Sequence, residues 1–189
     1  MNKQIFLTVL LLIATMSVSA QAVKGDISPL KNQKEVNVVL DMTETLCEGM
    51  PKEKYIEVKT KGKSEEQKAQ FLTELNEQLQ NEGYNAVVGK IDKVVKEKWF
   101  TAGNYPDAEY TIHVIVKDFN PGAFPMKNSR VRADVSFEKT GESEPIATVS
   151  FKFILGRYSA NVPLWVTRTV MALGYQGDSI GKLIVKNLK

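Results

Sequence analysis

The residues that could carry chemistry are few and far apart. Gly62-Lys63-Ser64 follows a short alternating stretch, Tyr55 to Lys59, and precedes a helix-like run. Strand, glycine turn and helix are the parts of a phosphate-binding loop, whose backbone N–H groups and lysine cradle phosphates. Such a loop needs a further glycine five residues before Gly62, so that the backbone can wrap the ligand. Glu57 stands there, with a Cβ and a charge of the wrong sign. Nucleotide binding is set aside, and Ser64 reads as the N-cap of the first helix.

Three other short motifs invite a serine acyl-transfer reading: Ser179-Ile-Gly-Lys182, Ser159-Ala-Asn161 and Lys139-Thr-Gly141. They spell the short motifs of penicillin-binding proteins and β-lactamases, but in reversed order along a short chain. Each has a local role instead, as helix start, helix entry and hairpin turn. His113 is the only histidine, on a strand face shared with Thr111 and Lys117, and Cys47 is the only cysteine. A zinc site would lack ligands, and no Ser-His-Asp spacing is credible. No Asp or Glu sits in an apolar stretch that would raise its pKa. The expectation is no catalytic, cofactor-binding or metal-binding residue, and hence no enzyme and no cofactor. Cys47 reads as a small buried residue.

The amino terminus supplies an address. Lys3 is followed by the apolar run Ile5 to Val18, and Ser17-Val-Ser-Ala20 places small residues before Gln21. Charged start, apolar middle and small-residue exit make a secretory signal peptide, residues 1–20, with Ala22 as the competing exit. The run is shorter than the roughly 20 residues that span a bilayer. With no cysteine after the apolar core the chain is not expected to be a lipoprotein, and one cysteine leaves no internal disulfide. The protein is expected to be exported, periplasmic or extracellular, with no transmembrane segment after cleavage. Removing 20 of the 189 residues leaves 169, enough for one core. Without Lys3 the count is 24 basic against 22 acidic residues, a near-balance that offers nucleic acid no basic stripe.

Residues 21–34 look like a lead-in arm and 35–189 like a single α+β domain. Glu35 to Met42 alternates as a strand, residues 43–53 form a loop, and Tyr55 to Lys59 reads as a short edge strand. Ser64 and Gln67 fit a capping box, and Phe71, Leu72, Leu75 and Leu79 form one helical stripe that Gly83 should end. Tyr84 to Val88 looks extended, and 91–99 suits helix or strand equally. Glu109–Phe119, Arg130–Glu138 and Ile146–Leu155 alternate cleanly, with Lys139 to Glu142 as a hairpin turn. Two terminal helices are expected, the first ended by Gly174 and the second capped by Asp178. The predicted architecture is a mainly antiparallel or mixed sheet with helices packed on one face.

Two loops are more apolar than loops need to be. Trp99 and Phe100 precede the first long strand, and Phe119, Phe124 and Met126 join the next two. Aromatic residues and methionine beside Pro121 and Pro125 suit a partner contact.

The stretch Ala108-Glu-Tyr-Thr-Ile-His-Val-Ile-Val-Lys-Asp-Phe119, the Lys-Thr-Gly-Glu hairpin and the Gly181-Lys182 opening of a terminal helix resemble a loose group of envelope proteins. That group includes the peptidoglycan-synthase activator LpoB, the curli-secretion protein CsgG and the TolB amino-terminal domain. The resemblance implies an α/β module that binds another envelope protein or self-assembles, without catalysis. The alternative expectation is a carrier of an apolar small molecule or lipid, held in a cavity lined by Phe151, Phe153, Trp165 and Leu183.

Overall fold

The computed structural model describes residues 17–20, 22–120, 129–155 and 165–189, without the side chains of 17–19, 74, 75, 78, 129, 155 and 165–169. The signal core, Phe124, Met126 and Ser159-Ala-Asn161 lie outside the described residues. The strands are β1 (Ser17–Ala20), β2 (Lys24–Gly25), β3 (Glu35–Asp41), β4 (Leu46–Cys47), β5 (Thr101–Gly103), β6 (Tyr110–Asn120), β7 (Ser129–Lys139) and β8 (Ala147–Leu155). The helices are α1 (Lys52–Lys59), α2 (Glu65–Glu77), α3 (Gly83–Val95) and α4 (Trp165–Asn187).

One mixed sheet runs in the order β1-β8-β7-β6-β3-β5, with β2 also on β8 and β4 also on β6. The β6-β7-β8 meander is antiparallel, as the three alternating runs require. The β3 pairs with β5 and β6, and the β4–β6 pair, are parallel. A hairpin cannot join parallel neighbours, so α1–α3 supply the crossover between β3 and β6. The β7–β8 turn closes with the Glu142 N–H donating to the Lys139 carbonyl at 3.0 Å. Gly141 takes φ +87° there, where a side chain would be strained.

The strands bury alternate residues on one face. Val36, Val38, Ile112, Val114, Val116, Val131, Ala133, Val135, Phe137, Val149, Phe151 and Phe153 are each at most 4% exposed. Helices α3 and α4 cover this face, joined there by Ile91, Val95, Leu173, Ile180 and Ile184. The lead-in arm contributes Ile27 and Leu30 to the same core through a 3-10 turn, Ser28–Asn32.

Helix α2 begins as its sequence promises. The Ser64 N–H donates to Gln67 Oε1 at 3.1 Å, and the Gln67 N–H donates to Ser64 Oγ at 3.3 Å. The two reciprocal bonds satisfy backbone donors that an open helix end leaves unpaired. Gly83 does not end this helix. A π turn, Gln78–Glu82, carries the chain on, and Gly83 is the first residue of α3. Tyr84 to Val88 is therefore helical, not extended, and the ambiguous 91–99 stretch is helical to Val95. Tyr55 to Lys59 is also a helix, because Tyr55 and Ile56, adjacent in sequence, are both buried. A strand would send them to opposite faces.

The tail is one helix rather than two. Gly174 and Gly177 do not break α4, and Gly177 and Gly181 let α3 approach it. A Cβ on Gly177 would lie 2.4 Å from the Val87 carbonyl oxygen, and one on Gly181 would lie 2.8 Å from Val94 Cβ. Gly174, Gly177 and Gly181 recur at three and four residues and so share one helix face. Among the described residues no helix is long and apolar enough to cross a membrane.

Candidate functional site

Because α3 and α4 lid only one face of the sheet, the other face presents its side chains outward in cross-strand rows. Strand register sets these rows. Thr148, Ser136, His113 and Val39 lie side by side across β8, β7, β6 and β3, and Ser150, Asp134, Ile115 and Asp41 form the next row. Lys152 and Arg132 are directly opposite on β8 and β7. Lys117 sits beside them on β6, at a register shift between Val116 and Asp118. A bulge of this kind adds an unpaired residue and re-aims its side chain.

Polar contacts knit the central rows. Ser136 Oγ donates to Glu138 Oε1, and His113 Nδ1 lies 3.2 Å from that same oxygen. His113 Nε2 is 3.9 Å from Asp41 Oδ2, and Nε2 is buried without a hydrogen-bond partner. The Asp41 carboxyl is held below its ordinary range, first by the Thr43 N–H that donates to it at 2.8 Å. Serine, histidine and two carboxylates are thus neighbours, but in an order that activates no nucleophile. The serine proton goes to Glu138 rather than to the imidazole, whereas an acyl-transfer site needs the hydroxyl on the base. Among the described residues no three His, Cys, Asp or Glu side chains could hold a metal ion.

Two shallow clefts open on this face. One, about 270 Å³, is lined by Lys24, Ile115, Asp134, Ser136, Thr148 and Ser150. The other, about 400 Å³, is lined by Lys117, Arg132, Asp134, Ser150 and Lys152 with backbone-flanking Ala133 and Phe151.

The end of the sheet where the parallel strands finish holds a second polar cluster. Asp118 is 7% exposed. It accepts from Arg130 at 2.9 Å and from the Gly49 N–H at 3.2 Å. These bonds secure a two-residue turn in which Glu48 takes φ 55° and Gly49 φ 80°. Both values are positive, as a tight hairpin of type I′ requires, and for a glutamate that conformation is strained. Cys47, fully buried beside this turn, has its thiol pushed up to about 12 by desolvation. Asp118 went unnoticed in the sequence because its own strand shows no sign of an arginine arriving from the next one.

Among the described residues, Trp99, Phe100 and Phe119 do not form one surface. Trp99 and Phe100 lie where the parallel strands begin, and Phe119 lies at the other end of β6. Phe100 and Phe119 are core residues, 2% and 0% exposed. Trp99 is half-buried, with Lys31 Nζ 5.6 Å from its ring centroid. Phe124 and Met126 lie outside the described residues. Of the residues expected to line a carrier cavity, Phe151 and Phe153 are buried, and Phe153 stacks on Tyr175 of α4 at 5.7 Å and 9°. Sheet and helix are in contact there rather than held apart around a ligand. The Trp165 side chain lies outside the described residues.

No family model matches the chain, and no curated protein does. Solved structures align with most of it. A PelC dodecamer from Paraburkholderia phytofirmans is 4% identical, with 88% of this chain and 98% of that one covered at a TM-score of 0.45. A Xanthomonas campestris protein assigned to the family model DUF330 is 8% identical, with coverages of 87% and 92% and a TM-score of 0.41. At such values neither likeness carries an argument about what this chain does or binds.

Proposed function

We propose that this chain is an exported, non-catalytic binding or assembly module of the cell envelope, of the kind that the resemblance to LpoB, CsgG and the TolB amino-terminal domain implies. The observation that carries the reading is the place of β1. Its four residues, Ser17 to Ala20, pair antiparallel with Phe151 to Ile154 of β8. They are also the last four residues of the expected signal peptide. Cleavage after Ala20 removes β1 and leaves the outer edge of β8 unpaired along that stretch, since β7 holds only the inner edge and β2 covers only Ala147 and Thr148. An open edge with free N–H and C=O groups is a template for an added strand. The unprocessed chain masks this edge with its own leader, and the exported chain offers it to another envelope protein or to a second copy.

The test compares purified chains that begin at Gln21 and at Ser17. Native mass spectrometry and pull-down from envelope extract should give a partner or an oligomer for the first and a weaker signal for the second. Equal behaviour of the two would remove the edge from the reading. A Phe124→Asp, Met126→Asp variant of the shorter chain asks separately whether the apolar loop contributes.

A further inference from the structure

The row Lys152–Arg132–Lys117 presents three cations side by side on three adjacent strands. Arg132 and Lys152 are direct cross-strand partners, and both are exposed on the open face. Like charges directly opposite one another destabilise a sheet, so the pair works against the fold it sits in. The protein does little to neutralise it. Among the described residues Asp134 is the one carboxylate lining the adjoining cleft of about 400 Å³. Its oxygens are engaged by the Ser150 hydroxyl at 2.6 Å and by Lys117 Nζ at 4.0 Å. The neighbouring Arg130 is already paired with Asp118. Among the described residues no carboxylate is within ion-pair distance of Arg132 or Lys152. The stretches 121–128 and 156–164, which connect to β6, β7 and β8 at this end, contain no Asp or Glu.

We propose that Lys117, Arg132 and Lys152 form a binding site for an oxyanion, a phosphoryl group presented either free in solution or on a lipid headgroup. Neighbouring strands are about 4.8 Å apart, so the three cations span roughly 10 Å, wide enough to converge on one tetrahedral anion from two sides. Arg132 supplies a planar fork suited to two oxygens, while the lysines act as point charges. Asp134, fixed by Ser150, holds Lys117 at the rim of the cleft. Binding an anion relieves the Arg132–Lys152 repulsion, which gives a signature that an ordinary solvated surface lacks.

The experiment uses the full chain, with Arg132→Gln and Arg132→Glu variants. Titration calorimetry with inorganic phosphate at constant ionic strength reads the free anion. Co-sedimentation with phosphatidylglycerol vesicles, against phosphatidylcholine vesicles, reads the headgroup. Binding in either arm that weakens roughly tenfold or more in Arg132→Gln supports the site and names the source. Arg132→Glu, which places opposite charges across the strands, should lose binding yet melt at or above the wild-type temperature. Absence of binding in both arms, or binding unchanged by Arg132→Gln, overturns the proposal. Loss of binding accompanied by a lower melting temperature in both variants also overturns it, since Arg132 would then be a structural residue.

Discussion

Helices α3 and α4 cross backbone against backbone at Gly177, and a single methyl group tests that contact. In Gly177→Ala the new Cβ would sit 2.4 Å from the Val87 carbonyl oxygen and 2.9 Å from Val87 Cα. Both are backbone atoms, so no rotamer change relieves the clash and the helices must separate. Overpacking of this kind costs about 1–3 kcal/mol, with rigid neighbours at the upper end. Replacing glycine by alanine inside a helix returns about 1 kcal/mol. The net expectation is a loss of about 2 kcal/mol, or a fall in melting temperature of roughly 4–8 °C for a chain of this length. Gly89 in α3 is the control, because nothing lies within 4 Å of a Cβ placed there. Gly89→Ala should gain about 0.5–1 kcal/mol from helix propensity alone. Urea unfolding followed by far-UV circular dichroism reads both as midpoint shifts at constant m-value. Opposite signs are required. If Gly177→Ala unfolds at or above the wild-type midpoint, the glycine stripe is not what brings α3 and α4 together, and the reasoning fails.

Other consequences follow from single contacts. Burial pushes the Cys47 thiol from 9.0 to about 12, so it should resist iodoacetamide at pH 8 until denaturant is added. Above pH 9 the unfolded chain loses this proton and the folded chain keeps it, so the stability it contributes is full below pH 9 and falls by about 1.4 kcal/mol per pH unit toward pH 12. Cys47→Ala should flatten the alkaline stability profile by that slope. Ser64→Ala removes the cap of α2 and should cost about 1 kcal/mol; a double-mutant cycle with Gln67→Ala should show the two effects coupled rather than additive. Asp118→Ala strips Arg130 and the Gly49 N–H of their acceptor at once and should cost about 3 kcal/mol in urea unfolding. Glu48→Gly, at φ 55°, should stabilise the fold by about 0.5–1 kcal/mol, read as a higher urea midpoint, since glycine takes that conformation without strain.

The elements legible from sequence were those whose signal is local and periodic. Val131, Ala133, Val135 and Phe137 alternate with charged or hydroxyl residues because one face of β7 is covered and the other is wet, and no tertiary knowledge is needed to read that. The Ser64–Gln67 box is equally local. Tyr55 to Lys59 was misread because five residues are too few to separate the two periods, and the misread helix ends turn on glycine. At Gly83 and Gly177 the same residue that ends helices by adopting positive φ serves instead as the absence of a side chain, which lets one helix lie against another. Only the partner helix distinguishes the two uses. Spacing offered the clue: terminators come singly, whereas three glycines at three- and four-residue intervals mark one face.

The same limit governs what could be read of the outer-face site. Arg130, Arg132, Asp134, Ser136 and Glu138 are assigned outward by alternation, but alternation does not say what stands opposite them. The hairpin does. Once the turn at Gly141 sets Phe137 against Ala147, register carries Arg132 to Lys152 with no further freedom, because a slip of one residue would expose Phe151 and Phe153. The cationic pair is thus a consequence of one turn and one buried face. Lys117 joins it through a different cause, the bulge after Val116, which no periodicity announces. Two of the three cations were therefore derivable from sequence by combining turn and pattern, and the third required the sheet.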